Sequence, residues 1–145
     1  MNEHQIYTSA NILVIKEGKV LLSRRQNKSW GNGLLCLPGG HIKKSESPRQ
    51  GALREAKEEL GLQINPDDLD FYCVAARNTS GKEYVAYEFI YDLPKGQEPQ
   101  NAEPYECSEI IWTDPSALPD DIIDDFKIII EQGYLGKKPY LEIGY

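Results

Sequence analysis

The 145-residue sequence lacks any unbroken run of about 18 apolar residues, so no membrane-spanning helix is expected. Cysteine is scarce: Cys36, Cys73 and Cys107 are odd in number, and no pair has the close spacing of a zinc site. A disulfide framework is therefore not expected; reduced, mostly buried thiols in a cytoplasmic protein are. The amino terminus, Met1-Asn2-Glu3-His4-Gln5, lacks the basic-then-apolar order of a secretory signal, which supports the same location. Positive charge is also short. Sixteen Lys and Arg against 23 Asp and Glu leave a formal charge of −7, which disfavours sequence-independent binding of nucleic acid. A phosphorylated small molecule remains open, because a bound divalent cation reverses the local field.

What is present is ordinary for one folded domain spanning residues 1–145: 40% apolar and 27% charged residues, with no internal repeat and no linker. That length buries a core without staples. Residues 6–16 are β-rich, and Gly18-Lys19 turns the chain into a second strand at 20–24. The apolar run 34–37 ends at Pro38-Gly39-Gly40, which stops a strand and permits unusual backbone angles. A helix is predicted over 48–60, with Ser47 as N-cap, Pro48 first, Gln50 completing a capping box and Gly61 as the stop. Segments 70–78 and 83–93, joined by Thr79-Ser80-Gly81-Lys82, read as a hairpin. Residues 94–107 are polar, contain Pro94, Pro99 and Pro104, and show no period; so long a loop is usually functional. A last strand is expected at 109–113, then a short helical turn capped by Asp114-Pro115. The final helix is expected over 121–132, with Ile122, Ile123, Phe126, Ile129 and Ile130 as its apolar stripe and Gly133 as its stop. Strands interrupted by two helices imply an α/β domain, a mixed sheet covered by helices.

The segment at 48–60 carries the chemistry. On a helical wheel Ala52, Leu53, Ala56 and Leu60 form one buried stripe, while Glu55, Glu58 and Glu59 share another side within about 100°. Gly51 lies in that acidic arc, where a glycine costs roughly 1 kcal/mol against alanine and leaves room for a ligand or for the preceding loop. Three neighbouring carboxylates repel unless neutralised. One reading is a solvated acidic face balanced by Arg54 and Lys57. The other is an oxygen-ligand site for a hard divalent cation, to which Glu46 in the preceding loop could add a further oxygen.

The order Gly40, five residues, Glu46, seven residues, Arg54-Glu55-Ala56-Lys57-Glu58-Glu59-Leu60-Gly61-Leu62 resembles the Nudix box, with all seven fixed letters present. Ala56 is smaller than the family's usual aliphatic residue. Chance agreement is on the order of one in 10⁸ per window, which sets the solvated-face reading aside. Leu37-Pro38-Gly39-Gly40-His41, Trp112-Thr113-Asp114 and Leu118-Pro119 are similar to flanking parts of the family domain. Residues Glu98 to Pro104 with Cys107, Glu131 to Tyr134 and the closing Gly144-Tyr145 resemble a MutT-like branch that converts nucleoside triphosphates to monophosphates.

The resemblance implies an α/β/α sandwich around a mixed sheet, and hydrolysis of a diphosphate linkage with Mg2+, or Mn2+ as a substitute. It implies Glu55, Glu58 and Glu59 as metal ligands, with Glu55 or Glu58 also serving the attacking water. Arg54 enters as a further residue of the catalytic set, pairing with Glu46 or, less in keeping with the pattern, meeting phosphate. Gly39 and Gly40 let the backbone approach the diphosphate, and Arg24 or Arg25 is a phosphate contact or a solvated pair. Glu106 best matches an additional acid, with Glu103 and Glu109 as rivals and Glu46 also a candidate. Trp30, Tyr84, Tyr87, Phe89 and Tyr91 either pack or stack on a base, and His41 orients the loop. A small-molecule nucleotide substrate is expected, oxidised purines included, and a homodimer by analogy. Two alternatives stand beside it: another diphosphate such as a sugar nucleotide, dinucleotide or isoprenoid diphosphate, and a nucleotide-sensing module without catalysis.

Overall fold

Alternation along the first strand sets the two faces of the molecule. The structure is a computed structural model that describes residues 3–145. In β1, Tyr7–Lys16, the side chains of Ala10, Ile12 and Val14 enter one apolar layer, while Leu13 enters the other. Parallel pairing with β6, Lys82–Asp92, extends from Tyr7↔Tyr84 to Ile15↔Asp92. On its far side β6 forms an antiparallel hairpin with β5, Asp70–Thr79, which pairs in parallel with β8, Tyr140–Ile143. The other edge of β1 is shared by β2, Lys19–Arg25, and β4, Gly39–His41, both antiparallel. β2 in turn carries β3, Leu35–Cys36, and β7, Cys107–Thr113. Among the described residues the result is one mixed eight-stranded sheet.

Helix α1, Pro48–Leu60, covers one face through Ala52, Ala56 and Leu60, which meet Ile12, Leu21 and Phe89. Small residues on this stripe allow a close approach to the sheet, so the reduced size of Ala56 serves packing. The expected cap is present. Ser47 Oγ accepts from the Gln50 N–H, the Gln50 side chain accepts from the Ser47 N–H, and Gly61 closes the helix in the left-handed region. The opposite face is covered by α2, Asp124–Ile128, which widens into a π-helical stretch, Ile129–Leu135. Phe126, Ile129 and Ile130 pack there against Leu13, Cys73 and Ala75. The architecture is therefore the expected α/β/α sandwich.

Several boundaries differ from expectation. The last helix begins at Asp124 rather than 121 because the preceding residues bond to β3: Leu35 N–H donates to Asp121 O, and Ile123 N–H to Leu35 O. Gly133 does not stop it. A Cβ there would lie 3.0 Å from Cys73 Sγ, so this glycine permits close packing of helix on sheet. The run Gly39–His41 pairs with Ser9–Asn11 as a strand where only a break was expected, and β8 was not foreseen. The hairpin turn narrows to Ser80-Gly81, both at positive φ, as a two-residue turn requires. Asp114 closes a single turn on Ser116 and Ala117. Among the described residues no helix is long and apolar enough to cross a membrane.

Candidate active site

Three segments converge at one end of a cavity of about 380 Å³: the β4 glycines, the acidic flank of α1 and the loop before β7. The first two meet because β4 carries no side chain at Gly39 or Gly40. A Cβ at Gly40 would fall 2.7 Å from Glu55 Oε1. Gly39, at φ +150°, donates its N–H to Glu59 Oε2 at 2.7 Å, and a Cβ there would overlap the Ala10 carbonyl.

Arg54 organises the carboxylates. Its Nε and one terminal nitrogen grip both oxygens of Glu46, at 2.7 and 2.9 Å. The other terminal nitrogen reaches Glu55 at 2.7 Å and Glu58 at 3.2 Å, and a further bond goes to the His41 carbonyl. These contacts engage all five N–H donors, so in this arrangement Arg54 holds the loop and helix together and has none left for phosphate. The bidentate pair, aided by the Lys43 N–H, holds the Glu46 carboxyl down at about 2, while Glu46 correspondingly raises Arg54. Gly51 leaves room for this loop: a Cβ there would stand 3.1 Å from Glu46 Oε1.

The expected closure of Glu55, Glu58 and Glu59 into one ligand set is not what the side chains adopt. Among the described residues no three His, Cys, Asp or Glu side chains gather tightly enough to hold a metal. Like-charged carboxylates repel, and each takes the nearest donor, Arg54 for the first two and Gly39 for the third. The donor chemistry nevertheless fits a hard divalent cation. Burial, and then the charge of Glu55 and of Glu103, pushes the Glu59 carboxyl up to about 8, the signature of acidic groups crowded without sufficient countercharge. Glu55 is 12% exposed and Glu58 47%, so Glu55 is well sheltered and Glu58 stands at the surface.

The long loop is tied to the end of α1, where Gln100 N–H donates to Leu60 O and Ala102 N–H to Glu59 O. This anchoring delivers Glu103 to the site. Burial raises its carboxyl, as do the charges of Glu106, Glu55 and Glu58. Glu106 instead pairs with Lys28 at 3.1 Å, and Glu109 pairs with Arg24 at 3.2 Å. Of the three rivals, Glu103 is therefore the one beside the box.

Arg24 lines the cavity, but its guanidinium is bound by Glu109, by Asp121 at 2.7 Å and by the Gly33 carbonyl. Arg25 donates to Trp30 O and lies over the Trp30 ring, so Trp30 both packs on the core and borders the cavity. Tyr84 lines the cavity too, whereas Tyr87, Phe89 and Tyr91 pack with the α1 layer. His41 lies against Tyr7 and Tyr84. Residues that sequence reasoning passed over complete the cavity wall: Ser9 and Asn11 from β1, paired with His41 and Gly39 of β4, Arg77 and Thr79 from β5, and Phe126 from α2. Arg77 is buried, bound to Asp125 at 2.8 Å and set between Tyr84 and Phe126.

The family model of the NUDIX domain matches residues 7–132, from the first strand through the last helix. The chain belongs to the Nudix family. An 8-oxo-dGTP diphosphatase of Proteus vulgaris is 31% identical over 64 residues, 44% of this chain and 57% of that protein. A CTP pyrophosphohydrolase of Escherichia coli (strain K12) is 27% identical over 103 residues, 71% of this chain and 72% of that one. The crystal structure of a MutT Nudix hydrolase from Burkholderia pseudomallei superposes with a TM-score of 0.78 at 25% identity, covering 89% of this chain and 98% of that chain. This Nudix protein is MutT-like, a pyrophosphohydrolase by class.

Proposed function

We propose that this Nudix hydrolase converts a nucleoside triphosphate to the monophosphate and pyrophosphate, with Mg2+ as its metal and Mn2+ as a substitute. The observation that carries the reading is the convergence of Glu55 and Glu59 on the side-chain-free Gly39-Gly40 strand, at one end of a cavity sized for a nucleotide. Glu55 and Glu59, with Glu58 joining from the rim, would hold the ion. When bound, it neutralises phosphate oxygens and favours ionisation of water.

The chain's own groups do the rest. Gly39 and Gly40 line the cavity without side chains and so let the diphosphate approach backbone. Arg54 fixes Glu46, Glu55 and Glu58 relative to one another, which makes it a positioning residue. Glu55 or Glu58 orients and deprotonates the water, and Glu103 replaces Glu106 as the additional acid. The base takes the part of the cavity away from the box glutamates, where Trp30 or Tyr84, both of which line it, offers a ring for stacking. Relatives named for 8-oxo-dGTP and for CTP make a triphosphate the first class to try.

The test incubates the protein and Mg2+ with a panel of nucleoside triphosphates, oxidised purines included, a sugar nucleotide, a dinucleotide and an isoprenoid diphosphate. Phosphate is then assayed with and without added pyrophosphatase. Phosphate from a triphosphate only when pyrophosphatase is present is the expected result. Turnover confined to the other diphosphates, or no turnover at all, contradicts it.

A further inference from the structure

Across the sheet from α1, a carboxylate with no role in the box lies under the cavity wall. Glu88 on β6 is fully buried. It stands directly opposite Asn11 of β1, and the Asn11 Nδ2 donates to both of its oxygens, at 2.8 and 3.1 Å. Asn11 is 4% exposed and lines the cavity; its Oδ1 lies on the side of Gly39, where a Cβ would overlap it. Two residues earlier on the same face, the buried Ser9 Oγ also lines the cavity and has no hydrogen-bond partner among the described residues. An unpartnered hydroxyl beside a clamped amide marks a wall built to meet a polar edge.

An asparagine amide presents a donor on one side and an acceptor on the other, and its partner decides which is which. An ionised Glu88 only accepts, so it draws the Asn11 NH2 inward and turns Oδ1 toward the cavity. A protonated Glu88 donates, so the amide is held by its oxygen and NH2 turns outward. We propose that Glu88 is a positioning residue that sets, through Asn11, whether the cavity wall accepts or donates, and so selects nucleotides whose base carries an exocyclic amino group. The proposal deepens the triphosphate reading and rests on it for the place of the base.

The surroundings put this choice within reach of neutral conditions. Burial pushes the Glu88 carboxyl up to about 8, against the pull of Asn11 and of Arg77. The groups facing it are Asn11 from β1 and Tyr72, Cys73 and Arg77 from β5. From the helical layer, Asp125 holds Arg77, and Tyr134 stands edge-on to Tyr72. Neither protonation state is remote at pH 7 to 9.

The test compares kcat/KM for cytidine triphosphate and for its analogue without the 4-amino group, from pH 6.5 to 9.5, in wild type and Glu88→Gln. The 15N side-chain amide signal of Asn11 is followed over the same range in the ligand-free protein. The expected ratio favours the amino-bearing nucleotide increasingly as pH rises through about 8, by roughly tenfold, the worth of one hydrogen bond. The ratio is flat in Glu88→Gln, and the Asn11 signal moves with the same midpoint in wild type only. A flat ratio in wild type, an unchanged rise in the variant, or an Asn11 signal indifferent to pH overturns the proposal. Failure of both nucleotides to react counts against the triphosphate reading alone, and the Asn11 signal then decides this one.

Discussion

Arg54 illustrates how much one side chain organises. It is 20% exposed, and its five donors bind three carboxylates and one carbonyl from loop and helix together. Replacing it by glutamine leaves Glu46, Glu55 and Glu58 to repel one another. The expected result is a fall in kcat of about 10–100-fold, the usual cost of mispositioned catalytic groups. The Glu46 carboxyl should meanwhile rise from about 2 toward its ordinary range, read by carbon NMR of the side chain. An unchanged Glu46 titration would separate Arg54 from that role. The box glutamates were legible in the sequence because helical periodicity and letter order place them without any knowledge of the sheet. Asn11 and Glu88 were not. They lie 77 residues apart and become partners only through the β1–β6 register, which no local pattern encodes. The choice among Glu103, Glu106 and Glu109 was illegible for a similar reason, since the loop's bonds to the α1 terminus decide it.

At the level of elements, caps and hairpins were readable and irregular junctions were not. Ser47, Pro48, Gln50 and Gly61 carry their own geometry, so α1 came out with its predicted bounds. The Gly39–His41 strand has no apolar alternation, and in β8 the alternation of Leu141 and Ile143 covers only four residues; both strands exist because neighbouring edges offer partners. Gly39 is the most constrained of these positions. It joins β4 to β1, holds Glu59 and cannot accept a Cβ without displacing the β1 backbone. Gly39→Ala should lose about 3 kcal/mol in urea unfolding, as expected for a strained, overpacked backbone site. It should lose turnover as well, even where the protein remains folded. Wild-type stability and turnover in that variant would show that the close approach of β4 is not needed.

For the whole molecule, three carboxylates bound stability, Glu46 on the acid side and Glu59 and Glu88 on the alkaline side. Glu46 has its carboxyl lowered to about 2, so its contribution is present above the ordinary glutamate range and is lost as pH falls toward 2. Glu59 and Glu88 are both raised to about 8, so their contributions are complete below the ordinary range and are lost as pH climbs to 8. Stability should therefore peak near the ordinary glutamate range and decline by roughly 5–10 °C in Tm toward pH 8.5. Glu88→Gln should make the alkaline limb shallower, leaving the part that Glu59 carries, and leave the acid limb in place; a variant whose Tm follows the wild-type curve on both sides would refute the assignment.

Whether the acidic flank of α1 takes up a divalent ion can be read without substrate by Mn2+ binding followed by electron paramagnetic resonance. Wild type should bind Mn2+ competitively with Mg2+. Glu59→Gln, with unchanged circular dichroism, should bind at least about tenfold more weakly and lose most turnover. Equal Mn2+ affinity in the two proteins, or near-normal turnover of Glu59→Gln in Mg2+, would contradict uptake there.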